Sequence, residues 1–577
     1  MLSSTLTADF PIQRWRIARF FALLIAVQPL VRAEKALPAT FVRDVVPILE
    51  THCLRCHNSG GIASFAPFTS YEAIRPWAQA IKQKVALHEM PPWPADPEKS
   101  LKFRNDARLS SANIATLLAW IDAGAPAGQG AASWHEPSTA TGWTGAQGRP
   151  PDLVISMTRE AKIPASGDIP YLRLLVKLPV QEGKWIAACE ARPGNASVVH
   201  HMAITEVELP EGVSPEAVDG LELLARKMGA SAGPSIVRPV VTTLANPDLF
   251  DMLAIYTPGA ALEEYPDDSG KLLKGGANRY INFNIHYSAN GKPSTDRSQV
   301  AFWFRDTPPK HQIYRVPMSA ETIIANGKEL LTDAPGVKAE GTRVAIPPIP
   351  PGAPSYELIG ITAFTQPVTI YQLHPHAHFR AKDFKYEIVY PDGREQTLLT
   401  IPKYDFRWQL AYELESPLKL PAGSKLVVTA HYDNSPNNKF NPAPGEEVHF
   451  RDQNQSSDEM FSPFVQYSED IESPNQAGLP IVEAVGCLEP ALDNRGWTLA
   501  HATSPTLSKV QAASSSDIGK AARSQLGAGE FQLEGLSFFG PSKYQGETVA
   551  ITGVLSPGND RRLNVTSLQT IAERCTN

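Results

Sequence analysis

The sequence predicts a multidomain chain: a small all-α domain, then a mainly β body of two β-sandwiches, then a small C-terminal β-domain. Three observations predict it. At 577 residues the chain is too long for one compact core. Apolar residues recur at helical spacing only in the first quarter, and beyond it short strand-like runs alternate with Pro and Gly turn signals. The 51 prolines favour loops and strand edges over helix interiors.

Composition narrows the classes of function. With 42% hydrophobic and 20% charged residues the chain folds as an ordinary globular protein. A net charge of −7 gives no electrostatic reason to expect nucleic-acid binding.

Residues 1–33 read as a signal peptide. Arg14, Arg16 and Arg19 form a basic flank, 20–30 is an apolar run too short to span a bilayer comfortably, and 31–33 supply the cleavage position. An uncleaved anchor is the alternative. No later stretch is apolar enough to cross a membrane, so a periplasmic or secreted protein with no membrane span in the mature chain is expected.

Residues 37–128 read as the all-α domain. The run 41–52 carries a helix-like apolar face into the first cysteines, and 71–87 is a second amphipathic segment. Ser110 or Ser111 caps a third helix with Ile114, Leu117, Leu118 and Ile121 inside, and Gly124 with Pro126 stops it. Residues 129–150 have linker composition. The sandwiches follow at 151–315 and 316–480, with strands expected at 171–178, 198–209, 280–287, 300–304, 369–378, 384–390 and 425–432. The last unit, 484–577, has strand-like runs at 548–555 and 562–568. Cys487 and Cys575 bracket it and can close it as a disulfide in an oxidising compartment. Cys189 reads as a buried free thiol.

The strongest motif is Cys53-Leu54-Arg55-Cys56-His57. Two thiols three positions apart at a helix end can add to the vinyl groups of one haem, with the adjacent histidine as proximal ligand. A redox dithiol or half a zinc site competes, but no second cysteine pair exists to complete a zinc site. Met90, in Glu89-Met90-Pro91-Pro92-Trp93, is the candidate sixth ligand; His88 is its rival, and a core methionine is the plain alternative. The segment resembles a cytochrome c module carrying one haem c.

Histidines cluster unevenly in the β body. His200 and His201 precede Met202 on one strand, and His286 precedes Tyr287 on another. His374, His376 and His378 alternate, which on a strand turns all three to one face. Met460 ends Gln455-Ser456-Ser457-Asp458-Glu459-Met460. Imidazole suits copper, and a thioether beside two imidazoles favours the cuprous state.

In this order the motifs resemble the copper type II, ascorbate-dependent monooxygenases, the group of peptidylglycine α-hydroxylating monooxygenase and dopamine β-monooxygenase. The resemblance spans roughly 190–470 and implies two jelly rolls with one copper each. His200, His201 and His286 would hold the first copper, which stores an electron. His376, His378 and Met460 would hold the second, the catalytic one, which binds O2 and abstracts hydrogen from a C–H bond. The family's glycine after the His-x-His is Ala381 here. The peptide-acting member's substrate anchors, an arginine, an asparagine and a tyrosine, fall on His374, Ser462 and Phe464, so turnover of C-terminal glycine peptides is not expected.

The function expected is therefore a periplasmic oxidoreductase hydroxylating a C–H bond of an unknown small molecule with O2. Electrons would come from ascorbate, or from a periplasmic electron donor through the fused haem. The other class is a non-catalytic copper-binding or electron-transfer protein with the same ligands and a c-type haem.

Overall fold

The computed structural model describes residues 38–576 apart from 131–142, 144–147, 210–214, 216–250, 259–261, 318–320, 335–343, 452–454, 471–477, 492–495, 557 and 559–560. The expected signal peptide and most of the expected linker lie outside the described residues. The architecture is a small helical region followed by several large, mostly antiparallel β-sheets. Among the described residues no helix is long and apolar enough to cross a membrane.

In the helical region, Phe41–Val45 runs into Val46–His52 with Pro47 in its first turn, where the missing N–H removes no helical bond. The run 71–87 is three pieces, Tyr71–Ile74, Arg75–Trp77 and Ala78–Ala86, tightened where Pro76 withholds its donor. Ser110 caps Ser111–Asp122 by accepting from Asn113 N, and Gly124 stops the chain at φ +87°. Leu117, Trp120 and Ile121 bury against Phe41, Leu49 and Ile74.

The largest sheet has nine strands. Its order is Leu153–Ser156, Gln299–Arg305, Lys184–Arg192, Ser269–Leu273, His311–Pro317, Phe464–Asp470, Val368–His374 and Tyr412–Leu420, with Leu262–Glu264 beside Lys184–Arg192. It runs straight across position 315, where the sequence suggests a change of sandwich. Arg315 and Lys271, both fully buried, pin this junction: Arg315 pairs with Glu263 at 2.5 Å and donates to Gln372 at 2.8 Å, and Lys271 pairs with Asp251.

Two smaller sheets face the large one. Leu172–Lys177, Arg279–Tyr287, Val199–Glu208 and Met252–Tyr256 form a four-stranded sheet whose Leu174, Met202 and Phe283 meet Ile186 and Phe302 of the large sheet. A six-stranded sheet, including Tyr356–Ala363, Lys425–Tyr432 and Ala381–Val389, covers the other half. Strand periodicity lets Lys425–Tyr432 serve two cores: Leu426, Val428, Ala430 and Tyr432 face the large sheet, while Val427 faces the C-terminal unit.

That C-terminal unit is a six-stranded sheet stacked on the outer face of the middle one, and the Cys487–Cys575 disulfide ties its first strand to the tail that follows its last. Two buried charges lie at the join. Lys425 Nζ donates to Gly535 O and Val565 O, and Glu329 accepts from Ser567 and Leu568.

A second join links the helical region to the far half. Between Ala78–Ala86 and Ser111–Asp122 the chain leaves the helices: Leu101 N donates to Leu398 O, Arg104 N to Glu413 O, and Phe103 bridges to Leu414. Trp93 and Phe103 bury against Tyr412 with ring centroids 4.9 and 5.3 Å away. The Pro-Pro-Trp segment is thus held in a sandwich core.

Candidate metal centre

Neighbouring residues on a strand normally point to opposite faces. His200 and His201 escape that rule because the register shifts between Val199 and His201, leaving His200 as an extra residue beside the His201–His286 pair. The result is a three-imidazole cluster. The ligand nitrogens of His200, His201 and His286 all lie within 4.8 Å of one another, and His200 Nδ1 stands 3.2 Å from His286 Nδ1. All three side chains are buried. Burial pushes His200 down to about 4, and burial with neighbouring imidazoles pushes His201 and His286 well below the usual range. Neutral imidazoles with free lone pairs are what a transition-metal ion takes, so this cluster can hold one metal ion.

The second group departs from its sequence reading. Strand Val368–His374 ends at His374 instead of continuing to 378, because Pro375 has no N–H for the ladder. His376 and His378 therefore sit on an irregular segment, yet both stay buried, with ring centroids 5.9 Å apart. Gln409 Oε1 lies 2.5 Å from His376 Nδ1, and Asp458 O lies 3.0 Å from His378 Nδ1. One carboxylate organises the turn: Glu459 accepts from the backbone N–H groups of His378, Arg380 and Met460. Burial raises that carboxyl to about 7. Tyr432 Oη holds Met460 O at 2.8 Å.

The two groups meet. The His201 and His376 ring centroids are 5.4 Å apart. A small cavity of about 40 Å³ between the halves is lined by His201 on one side and by His374, His376, Met460 and Phe464 on the other. His374 is 3% exposed, and among the described residues neither of its ring nitrogens has a hydrogen-bond partner.

Sequence reasoning missed three residues here. Tyr171 Oη lies 3.4 Å from His201 Nε2 and 3.5 Å from His378 Nε2. Phe406 packs 5.0 Å from His200 and 6.0 Å from His378 between ring centroids. Gln409 is the third. Tyr171 directly precedes the strand whose Leu172 pairs with Ile285, so it comes to His286 only through strand pairing.

In the helical region Cys53 ends Val46–His52, and His57 N donates to Cys53 O at 3.0 Å. His57 Nδ1 is 2.9 Å from Ala66 O, and its ring stacks on Phe68 with centroids 4.2 Å apart and planes 3° from parallel. Burial raises the Cys53 thiol to about 12 and raises that of Cys56. Burial raises the Tyr256 hydroxyl, with a smaller contribution from the Cys56 thiol. Met90 is half-buried, and its N–H donates to Lys84 O. No hydrogen bond among the described residues joins its sulfur to His57. Cys189 is a fully buried free thiol donating to Leu253 O at 3.1 Å.

No protein-family model matches the chain, and no curated protein matches it. Among solved structures it is similar to PNGF-II at 9% identity, covering 55% of this chain and 65% of that one, with a TM-score of 0.23. It is also similar to the major capsid protein P2 from Bacteriophage PM2 at 9% identity, covering 48% of this chain and 97% of that one, with a TM-score of 0.17. The chain thus spans just under two thirds of the length of PNGF-II. At these TM-scores neither likeness bears on activity.

Proposed function

We propose that this chain is a periplasmic copper-dependent monooxygenase hydroxylating a C–H bond of a small molecule with O2, built on two jelly rolls. Its electrons come from ascorbate or through a haem c attached at Cys53, Cys56 and His57. The observation that carries this reading is convergence. His200, His201, His286, His376, His378 and Met460 come from four separate segments between positions 200 and 460; His201, His376 and Met460 line one cavity, His200 and His286 cluster with His201, and the His378 ring lies 5.9 Å from that of His376.

In this reading His200, His201 and His286 hold one copper, and His376, His378 and Met460 hold the other. Bound copper supplies one-electron steps and O2 activation. The chain's own residues aim the ligands. Gln409 and Asp458 O engage the Nδ1 atoms of His376 and His378, so Nε2 is the atom each ring would offer a metal, that of His378 lying 3.5 Å from Tyr171 Oη. His374 and Phe464 line the cavity, where the peptide-acting relatives anchor a carboxylate. The substrate proposed is accordingly a small, largely apolar molecule and not a peptide ending in glycine.

The haem reading is supported by His57, whose Nδ1 contact with Ala66 O leaves Nε2 for iron. Each hydroxylation consumes two electrons beyond those of the C–H bond.

Elemental analysis, a visible spectrum and oxygen uptake with ascorbate test the reading together. Two coppers and one haem per chain are expected, with uptake lost in Met460→Ala while the haem is retained. Unchanged uptake in that variant, or no copper after reconstitution, overturns it. A second reading, a non-catalytic copper-binding or electron-transfer protein, is favoured by one fact: among the described residues His200, His201 and His286 are the one group of three His, Cys, Asp or Glu side chains whose ligand atoms lie within 4.8 Å of one another. It predicts one copper and no uptake.

A further inference from the structure

A second pocket opens on the other side of Phe406, away from the cavity just described. Its volume is about 240 Å³, below the ~300–1,000 Å³ typical for drug-sized ligands. The turn after His378, the 403–407 loop and the 433–440 loop enclose it. Five cationic side chains line it, Arg380, Lys382, Lys403, Arg407 and Lys439, against two carboxylates, Asp405 and Asp433.

Pairing inside the pocket leaves a positive excess. Asp405 is engaged by Arg407 at 2.5 Å, and Asp433 accepts from Ser435 N. Lys382, Lys403 and Lys439 have no ion pair among the described residues. Arg380 is only 1% exposed, its Nη1 has no hydrogen-bond partner among the described residues, and its Nε makes one long contact, 3.4 Å, to Asn434. A guanidinium buried with an unpaired N–H group is costly unless an acceptor arrives. Ala381, Asn437, Asn438 and four aromatic side chains, Tyr404 among them, make up the remaining wall. Phe379, Phe406 and Phe440 offer ring faces, and the Arg407 guanidinium and Lys439 ammonium stand 5.1 and 5.0 Å from the Phe440 centroid.

We infer that this pocket is a binding site for a small organic anion with a flat ring, its carboxylate or equivalent group taken by Lys403, Lys439 and Arg380 and its ring by the phenylalanines. Bound there, the anion lies one aromatic ring from the histidine cluster, since Phe406 touches His200 on its far side. Anion binding itself stands apart from the copper reading, because none of the cationic groups belongs to the proposed metal ligands.

The test uses the full-length protein and a pair of probes matched in shape, benzoate and benzamide, followed by calorimetric titration. Benzoate is expected to bind at least tenfold more tightly than benzamide and to weaken as salt is added. The double variant Lys403→Gln/Lys439→Gln is expected to lose at least tenfold in benzoate affinity while thermal stability and metal content stay unchanged. Both substitutions lie on exposed side chains, so folding is preserved where Arg380→Met risks it. Equal binding of the two probes, no saturable benzoate binding, or benzoate affinity indifferent to the double substitution overturns the inference. Loss of oxygen uptake without any change in benzoate binding bears on the copper reading alone.

Discussion

Tyr171 lies flat on His286, with ring centroids 4.7 Å apart and planes 19° from parallel, while its hydroxyl reaches toward His201 and His378. Like Phe406, it touches both histidine groups, and it alone of the two brings a hydroxyl to them. Tyr171→Ala is expected to weaken copper binding by roughly 10–100-fold, the usual cost of removing a residue that orients metal ligands. Tyr171→Phe keeps the stacked ring and is expected to lose less. Chelator competition measures both, and equal affinity in Tyr171→Ala and the parent chain contradicts the assignment.

Gln409 fixes His376 from behind. Gln409→Leu leaves the buried Nδ1 without its partner, and the ring is then free to turn. One of two coppers is expected to bind about 10–100-fold more weakly, with the His200 cluster unaffected. Titration with cuprous ion resolves the two events.

For the proposed haem, Met90→Ala is expected to lower the reduction potential without releasing the covalently attached group, since thioether ligation raises it. His88→Ala is the control. Redox titration followed in the visible spectrum compares them, and a shift confined to His88→Ala assigns the sixth position to the imidazole instead.

Arg315 is fully buried in the middle of the nine-stranded sheet, with Glu263 as its ionic partner. Arg315→Met strands that carboxylate and is expected to cost about 3–5 kcal/mol of stability. Adding Glu263→Gln should recover part of the loss. Denaturant unfolding of the two variants gives the comparison, and a loss no smaller in the double variant rules out the stranded charge as the cause.

Glu329, buried between the middle and C-terminal sheets, is raised by burial from 4.5 to about 7. A carboxyl raised in the folded state favours folding in its protonated form. Its contribution is complete below the unfolded value near 4.5 and is lost as pH rises through about 7, a swing on the order of 3 kcal/mol. Glu329→Gln removes the titration. Thermal unfolding is expected to show the variant gaining on the parent chain between about pH 5 and pH 8. Parallel curves across that range contradict the expectation.

What could be read from sequence was what local chemistry fixes. Ser110, Gly124 and the alternation over 425–432 mark their elements because a cap, a left-handed stop and a two-residue period each act within a few positions. The candidate ligands were legible by residue type and order. Tyr171, Phe406 and Gln409 were not, since their roles exist only after segments distant in sequence have packed. The reach of the 369–378 strand was misjudged because the alternating histidines suggested a pleat that Pro375 interrupts. Residues 93–105 carry no local signal of their place, for their partners lie near residues 398–414.

That long-range attachment bears on the order of assembly. Ser100 bonds to Thr400, 300 residues away, and Asn105 to Ala411, 306 away. During synthesis the helical region emerges first, but its connecting segment has nothing to dock on until the distant strands have followed. Contacts so far apart in the chain form late. In the proposed haem reading, that interval is when Cys53 and Cys56 sit on a helical region whose connecting segment is still undocked.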